Sequence, residues 1–179
     1  SIERLYPTML RYLDYLKTKE KDGYLPFGLG DWVYWKATTN NEYTSTAYYY
    51  LDYKLMARFA SLLGKDAAPY QEKANTLKSL INQKFFNAET GVYAEGTQTA
   101  QALALYLGLV PEGKEQLVAD KLREVVAGNN YFLDFGLLGS KTVPAMLTKY
   151  GYIEDAMKMI TKTEAPSWGY WVETMGYST

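Results

Sequence analysis

Two alternations run through this chain in step, and together they admit few folds. Helical segments that are apolar on most faces alternate with amphipathic ones, and short connections alternate with long ones. The segments 97–107 and 137–150 are of the apolar kind; Ala100, Ala102, Leu103, Ala104 and Leu105 cover the whole circumference of the earlier one. The segments 66–84, 111–127 and 152–161 keep Lys and Glu on an outer side. A helix apolar all round is buried, and an amphipathic one lies on a surface. The chain is therefore expected to step inner, outer, inner, outer, led by an inner helix at 44–63. Inner-to-outer turns are short, at Leu63–Asp66, Gly108–Pro111 and Tyr150–Tyr152; the return loops are long, at 20–43, 85–96, 128–136 and 161–167. Short helix–helix turns join antiparallel neighbours. Every long loop is then predicted at the same end of a stack of hairpins, and elaborated loops over a rigid scaffold tend to carry function.

The individual helices follow from apolar spacing and from their stops. Ile2, Leu5, Met9, Leu13 and Leu16 form one stripe, ended by Lys17–Lys21 and Gly23. A second helix is expected from Thr44 as N-cap, with the stripe Tyr48, Leu51, Leu55, Phe59 and Leu62 and a stop at Gly64. The third begins near Asp66, with Pro69 in its first turn and the stripe Tyr70, Ala74, Leu77 and Ile81. Asn87–Gly91 reads as a turn. The fourth runs from Thr97 to Leu107 with Gly108 as its stop. The fifth starts at Pro111, carries Leu117, Leu122 and Val125, and ends at Gly128. The sixth, about 137–150, contains Pro144 and must start later or kink there. The seventh runs from Ile153 to Ile160, and an eighth segment begins near Trp168.

Absences narrow the chemistry. The 179 residues contain no His and no Cys. That excludes imidazole acid–base work, Ser-His-Asp and Cys-His nucleophiles, cysteine or histidine zinc sites, and disulfides. No Walker loop, EF-hand or G-x-G-x-x-G run is present, so no cofactor or metal is expected. Net charge is −1, which gives no basic footprint for nucleic acid. No 18-residue apolar run is present, so no membrane span is expected. Ser1-Ile-Glu-Arg-Leu lacks the basic start and apolar stretch of a secretory leader, and no compartment follows from that. What remains for catalysis is carboxylates, Lys, Tyr or an oxygen-ligated metal.

The loop end is rich in rings. Gly30-Asp31-Trp32 lies in the loop 23–36, where one carboxylate sits among glycines, Pro26 and five aromatic residues. Flat aromatic faces beside an acid suit a sugar, whose C–H groups stack and whose hydroxyls bond; the alternative is a loop that folds its rings onto its own core. Beside Trp32 and Trp35 of this loop, the other long loops and the helix starts beside them add Tyr93, Glu95, Tyr131, Phe132, Asp134, Phe135, Trp168, Tyr170, Trp171 and Glu173. All four Trp residues belong to this set. Large apolar groups with a few polar ones at one mouth make a ligand cleft.

Hairpins of alternating inner and outer helices describe an α/α toroid, and at this point particular residues match. Gly30-Asp31-Trp32 followed by Thr44-Ser45-Thr46-Ala47-Tyr48-Tyr49-Tyr50 resembles the catalytic domain of bacterial α-L-rhamnosidases, the inverting glycoside hydrolase family 78. The match continues through Thr99-Ala100-Gln101-Ala102-Leu103-Ala104-Leu105, Leu109-Val110-Pro111 and Phe135-Gly136-Leu137-Leu138-Gly139. It ends in Pro166-Ser167-Trp168-Gly169-Tyr170-Trp171-Val172-Glu173. The order and spacing of these blocks span nearly the whole chain.

This resemblance implies an all-α fold, part of an (α/α)6 barrel of which about seven to eight helices are present, in a single partial domain over 1–179, truncated at both ends. It implies hydrolysis of terminal L-rhamnose from glycosides. It also implies that the general acid lies in an Arg-Glu-Arg-Leu-Gly-Trp-like motif, absent here. The general base follows a Gly-Ala-Thr-Thr-like motif, whose opening Met175-Gly176-Tyr177-Ser178-Thr179 resembles. Both catalytic glutamates are thus expected outside this chain, and the chain alone is expected to be inactive. Asp31 is expected to bond sugar hydroxyls, Trp32 and Trp168 to stack on or wall the sugar, and Phe135 to line the cleft. Glu95 and Asp134 are weaker candidates, read first as caps or solvated acids, and Glu173 is read equally as an early-helix acid favoured by the dipole. Bare flanks of such a partial toroid would seek the remainder of the same polypeptide or a second copy. Two rivals stand beside this reading. A non-catalytic helical-hairpin binding module calls for a fixed repeat that the unequal hairpins lack. Another toroid glycosidase or lyase acting on acidic polysaccharide calls for clustered Arg and Lys at the loop end, where the loops are aromatic and acidic. A bacterial setting leaves periplasmic, extracellular and cytoplasmic locations equally open.

Overall fold

The structure is a computed structural model that describes residues 1–177. Among the described residues, seven α-helices follow one another: α1 (Ile2–Lys17), α2 (Asn41–Leu62), α3 (Ala68–Phe85), α4 (Gln98–Leu107), α5 (Glu115–Gly128), α6 (Leu137–Lys149) and α7 (Ile153–Thr161). A two-stranded antiparallel hairpin, β1 (Phe86–Asn87) and β2 (Val92–Tyr93), precedes α4. The eighth segment expected near Trp168 is a short π-helical turn, Tyr170–Thr174. The motif opening expected at 175–179 extends into Ser178 and Thr179, which lie outside the described residues. No described helix is long and apolar enough to cross a membrane. The chain forms two compact units, Ser1–Leu29 with Asn41–Phe85, and Gly30–Asn40 with the chain from Phe86 onward.

In the first unit α2 packs on α3 and on α1. Helix α2 begins at Asn41, three residues before the expected N-cap; the Thr44 hydroxyl lies inside its first turn and donates to the Asn41 carbonyl at 3.1 Å. Its buried face is also not the expected stripe. Leu62 is exposed, whereas Tyr43, Ala47, Tyr50, Tyr53, Ala57 and Ala60 are buried at steps of three and four. Spacing of the large aliphatics misled here, because small Ala positions let a neighbouring helix approach and Tyr fills the space between. On α3 the expected Ala74, Leu77 and Ile81 are fully buried. One acid ties the three helices together. Glu20, just past α1, pairs with Lys73 of α3 at 2.8 Å and accepts from the Tyr49 hydroxyl of α2 at 3.0 Å. Burial, then the Tyr53 hydroxyl and the Glu20 carboxylate, push the Tyr49 phenol far above its ordinary range.

In the second unit α4 packs between α5 and α6, and α7 packs on α6. Every residue of α4 but Tyr106 is buried. Its ends are as expected: the Thr97 hydroxyl accepts from Ala100 N at 3.1 Å, and Gly108 closes it at φ +76°. The buried amide of Gln101 fastens the hairpin to α4, donating to the Gly91 carbonyl at 2.8 Å and accepting from Tyr93 N at 2.6 Å. Helix α5 starts at Glu115 rather than Pro111, and buries Val118, Leu122 and Val126 instead of Leu117 and Val125. Helix α6 starts at Leu137 and runs through Pro144, which removes a donor without ending the helix. It is not buried all round, since Leu137, Lys141 and Ala145 are exposed.

A groove of about 450 Å³ runs between α1 and α2, lined by Leu5, Met9, Tyr12, Leu55 and Phe59, with Asp52 set among them. Desolvation there raises the Asp52 carboxyl from 3.8 to about 6. The folded form thus holds the proton more tightly than the unfolded chain. This contribution to stability is fully present below pH 3.8 and is lost as pH rises through about 6. Asp52→Asn, which cannot ionise, is expected to match the parent chain in urea unfolding at pH 4. At pH 8 it should be more stable by about 1–2 kcal/mol, after allowance for partial solvent screening. An equal difference at the two pH values would contradict the assignment.

Candidate functional site

Four connections of the second unit gather at the N-terminal ends of α4 and α6: residues 30–40, 86–97, 129–136 and 162–169. Their cross-links are specific. The Thr39 and Thr97 hydroxyls bond at 2.6 Å, Glu95 Oε2 accepts from Asn40 N at 3.0 Å, and Gln98 donates to the Phe132 carbonyl at 3.1 Å. Trp35 stands edge-on to Phe132 at 5.4 Å, and Phe135 lies 6.1 Å from Trp168. Within this unit the long loops do share one end of the helices.

Between them opens a cleft of about 460 Å³. One wall is Val33, Tyr34 and Trp35; the other is Leu133 and Phe135–Leu137 with Ser140; Pro166, Trp168 and Trp171 close it. Its polar side-chain groups are the Ser140 and Tyr34 hydroxyls and the indole N–H groups. No Asp or Glu is among its lining residues. Such a surface stacks on flat or C–H-rich faces and exchanges few hydrogen bonds.

Asp31 lies behind the wall, 4% exposed. Its Oδ2 accepts from Gly136 N at 2.8 Å and from the Thr99 hydroxyl in a very short bond. Its Oδ1 accepts from Leu138 N at 2.8 Å and Gly139 N at 3.3 Å. A carboxylate offers about four acceptor directions, so the protein's own donors account for all of them. The cause is local to α6. Its N-cap is Gly136, which has no side chain to bond the free amides of the first turn. No larger residue fits, because a Cβ there would lie 2.1 Å from the Trp32 carbonyl oxygen. Leu137 N donates to that same oxygen at 2.9 Å. Asp31 therefore supplies the cap from a distant part of the chain, where the helix dipole also favours its charge. The expectation that Asp31 meets sugar hydroxyls assumed a carboxylate with free acceptors; the structure gives it this other partner set.

The remaining candidates divide. Phe135 and Trp168 are in the cleft lining, whereas Trp32 is 59% exposed and outside it. Trp35 and Trp171 line the cleft but stood only in the wider aromatic set; the nearness of Trp35 to Asp31 in sequence was the available signal. Tyr93 is core: it is fully buried and stacks on Phe86 at 4.4 Å, and burial pushes its phenol far above the ordinary range. Glu95 and Asp134 bond backbone amides, the latter those of Lys36 and Ala37. Glu173 is exposed on the π-helical turn. Val33 adopts φ +64°, unusual for a β-branched residue, at the point where the loop turns into the cleft wall.

Comparison with known proteins gives a consistent picture. An alpha-L-rhamnosidase of Streptomyces avermitilis is 33% identical over 166 residues, covering 92% of this chain and 16% of that protein. One of an Alteromonas species is 27% identical over 183 residues, covering 94% and 20%. Among solved structures, Streptomyces avermitilis alpha-L-rhamnosidase complexed with L-rhamnose superposes with a TM-score of 0.90 at 28% identity, covering 97% of this chain and 17% of that one. Alpha-L-rhamnosidase from Dictyoglumus thermophilum superposes with 0.88 at 36% identity, covering 97% and 20%. The chain thus spans about a fifth or less of the length of these relatives, and its helices are hairpins of an α/α toroid. The model of the bacterial alpha-L-rhamnosidase six-hairpin glycosidase domain matches residues 1–179, and the chain belongs to that family.

Proposed function

We propose that this chain forms part of the (α/α)6 catalytic domain of an α-L-rhamnosidase and carries part of its rhamnoside-binding cleft, including two facing walls. The observation that carries this reading is the aromatic cleft at the gathered loop end, in a chain whose relatives are named alpha-L-rhamnosidases. L-Rhamnose is a 6-deoxy sugar, and its methyl group and C–H face suit a lining of rings and aliphatic groups with few polar tips. Phe135 and Trp168 contact the sugar or its immediate neighbour, together with Trp35 and Trp171. Asp31 contributes by holding both walls.

Titration of the chain with methyl α-L-rhamnopyranoside, followed by tryptophan fluorescence, tests the cleft. Trp168→Ala and Phe135→Leu are each expected to weaken binding about tenfold, the loss of one stacking contact. Tyr106→Ala, on the exposed spot of α4, should leave it unchanged. Equal affinity in all three variants, with folding verified by circular dichroism, would remove these rings from the site.

Inverting hydrolysis needs one protonated acid on the leaving oxygen and one carboxylate on the attacking water, about 6.5–9.5 Å apart. The cleft lining contains neither. We place the acid and base elsewhere in the whole enzyme, and the 179-residue chain alone is expected to release no nitrophenol from 4-nitrophenyl α-L-rhamnopyranoside above the buffer rate. Turnover by the purified chain would refute this division of labour.

A further inference from the structure

A second buried carboxylate in the same unit mirrors Asp31. Asp134 is 9% exposed, and its Oδ1 accepts from Lys36 N at 2.8 Å and from Ala37 N at 2.9 Å. The two acids are reciprocal. Asp31 opens the segment 31–37 and grips the backbone of residues 136–139. Asp134, just before that backbone, grips the far end of the segment. The four residues between the grips are Trp32, Val33, Tyr34 and Trp35, all exposed. Leu137 N adds a bond to the Trp32 carbonyl, and the Lys36 ammonium lies 3.9 Å from the Trp35 ring centre.

Exposed rings on a free loop would fold onto the nearest apolar surface, and a ligand would have to order them on arrival. A loop fixed at both ends avoids that cost. Neither grip is a cap that the segment makes for itself: each crosses from one cleft wall to the other. The positive φ of Val33 is compatible with this tethering, because a strained residue persists where its surroundings over-determine it.

We infer that Asp134 is a positioning residue which, with Asp31, clasps residues 32–35 into a preformed aromatic arch that receives a saccharide ring. The inference rests on the rhamnoside-binding role proposed above. Asp134 does not touch the sugar; it acts through Trp35 and the backbone that carries it.

The test uses the whole 179-residue chain, amide hydrogen exchange, and calorimetric titration with methyl α-L-rhamnopyranoside. In the parent chain the Lys36 and Ala37 amides should be protected at least tenfold, about the least a persistent hydrogen bond gives; exchange at the free-chain rate would overturn the clasp without any variant. In Asp134→Ala these two amides should open while Leu138 and Gly139 stay protected, and affinity should fall about tenfold. Asp134→Asn keeps an acceptor oxygen and should recover affinity to within about threefold, whereas Asp134→Leu, which fills the space without an acceptor, should not; equal affinity in these two variants would overturn the hydrogen-bonded clasp. Opened amides with parental affinity would refute the link to binding. If the parent chain binds no rhamnoside, the functional reading fails, while the exchange data still decide the clasp.

Discussion

An uncapped helix end is the constraint on which the second unit turns. The first amides of α6 need acceptors, and the residue in the N-cap position cannot supply one. It must be glycine, because the Trp32 carbonyl occupies the place a side chain would take. The same close approach that forbids a local cap brings Asp31 within reach of those amides. One buried charge thereby satisfies a helix terminus, a Thr99 hydroxyl and the register of a loop. Charge-assisted bonds to backbone amides are about twice as strong as neutral ones, and an uncompensated carboxylate in that place would be costly. The cleft walls are set by the same contacts that solve this hydrogen-bonding problem.

Parts of this were legible in the sequence because their causes are local. Thr97 and Gly108 bound α4 with their own side chain and their own φ, and the Ala74, Leu77 and Ile81 face needs only helical spacing. The starts of α2 and α5 were misplaced by a few residues because Thr44 and Pro111 are plausible first residues judged alone. The buried face of α2 was misread because it is built of Ala and Tyr rather than of large aliphatics. Asp31 shows the stronger limit. Its type and its aromatic setting were visible, but its partners lie 68 to 108 residues away, and nothing near it in the chain reports that they fill its acceptors. That Tyr34 and Trp35 of the 30–36 loop line the cleft and Trp32 does not is likewise invisible to periodicity.

The function proposed above separates two tasks. In that proposal the rings supply shape and apolar contact; the described lining has no Asp or Glu. Proton transfer between two carboxylates needs groups held in different environments, whereas stacking needs only a rigid surface. A cleft wall built from fixed backbone and rings is therefore free of the electrostatic demands that acid–base chemistry makes on its neighbours.

Residues 30–40 belong to the second unit, yet the 45 residues that follow them belong to the first. The wall of the cleft is thus not contiguous in sequence with the helices it completes. A chain emerging from synthesis presents Asp31 long before Gly136 and Leu138 exist to receive it, so this loop must wait, unsatisfied, until α6 has been made. Closing so long a loop costs entropy that local helices do not incur. The cleft accordingly cannot close before α6 is made, and a break anywhere between residues 41 and 132 would put its two walls on different polypeptides.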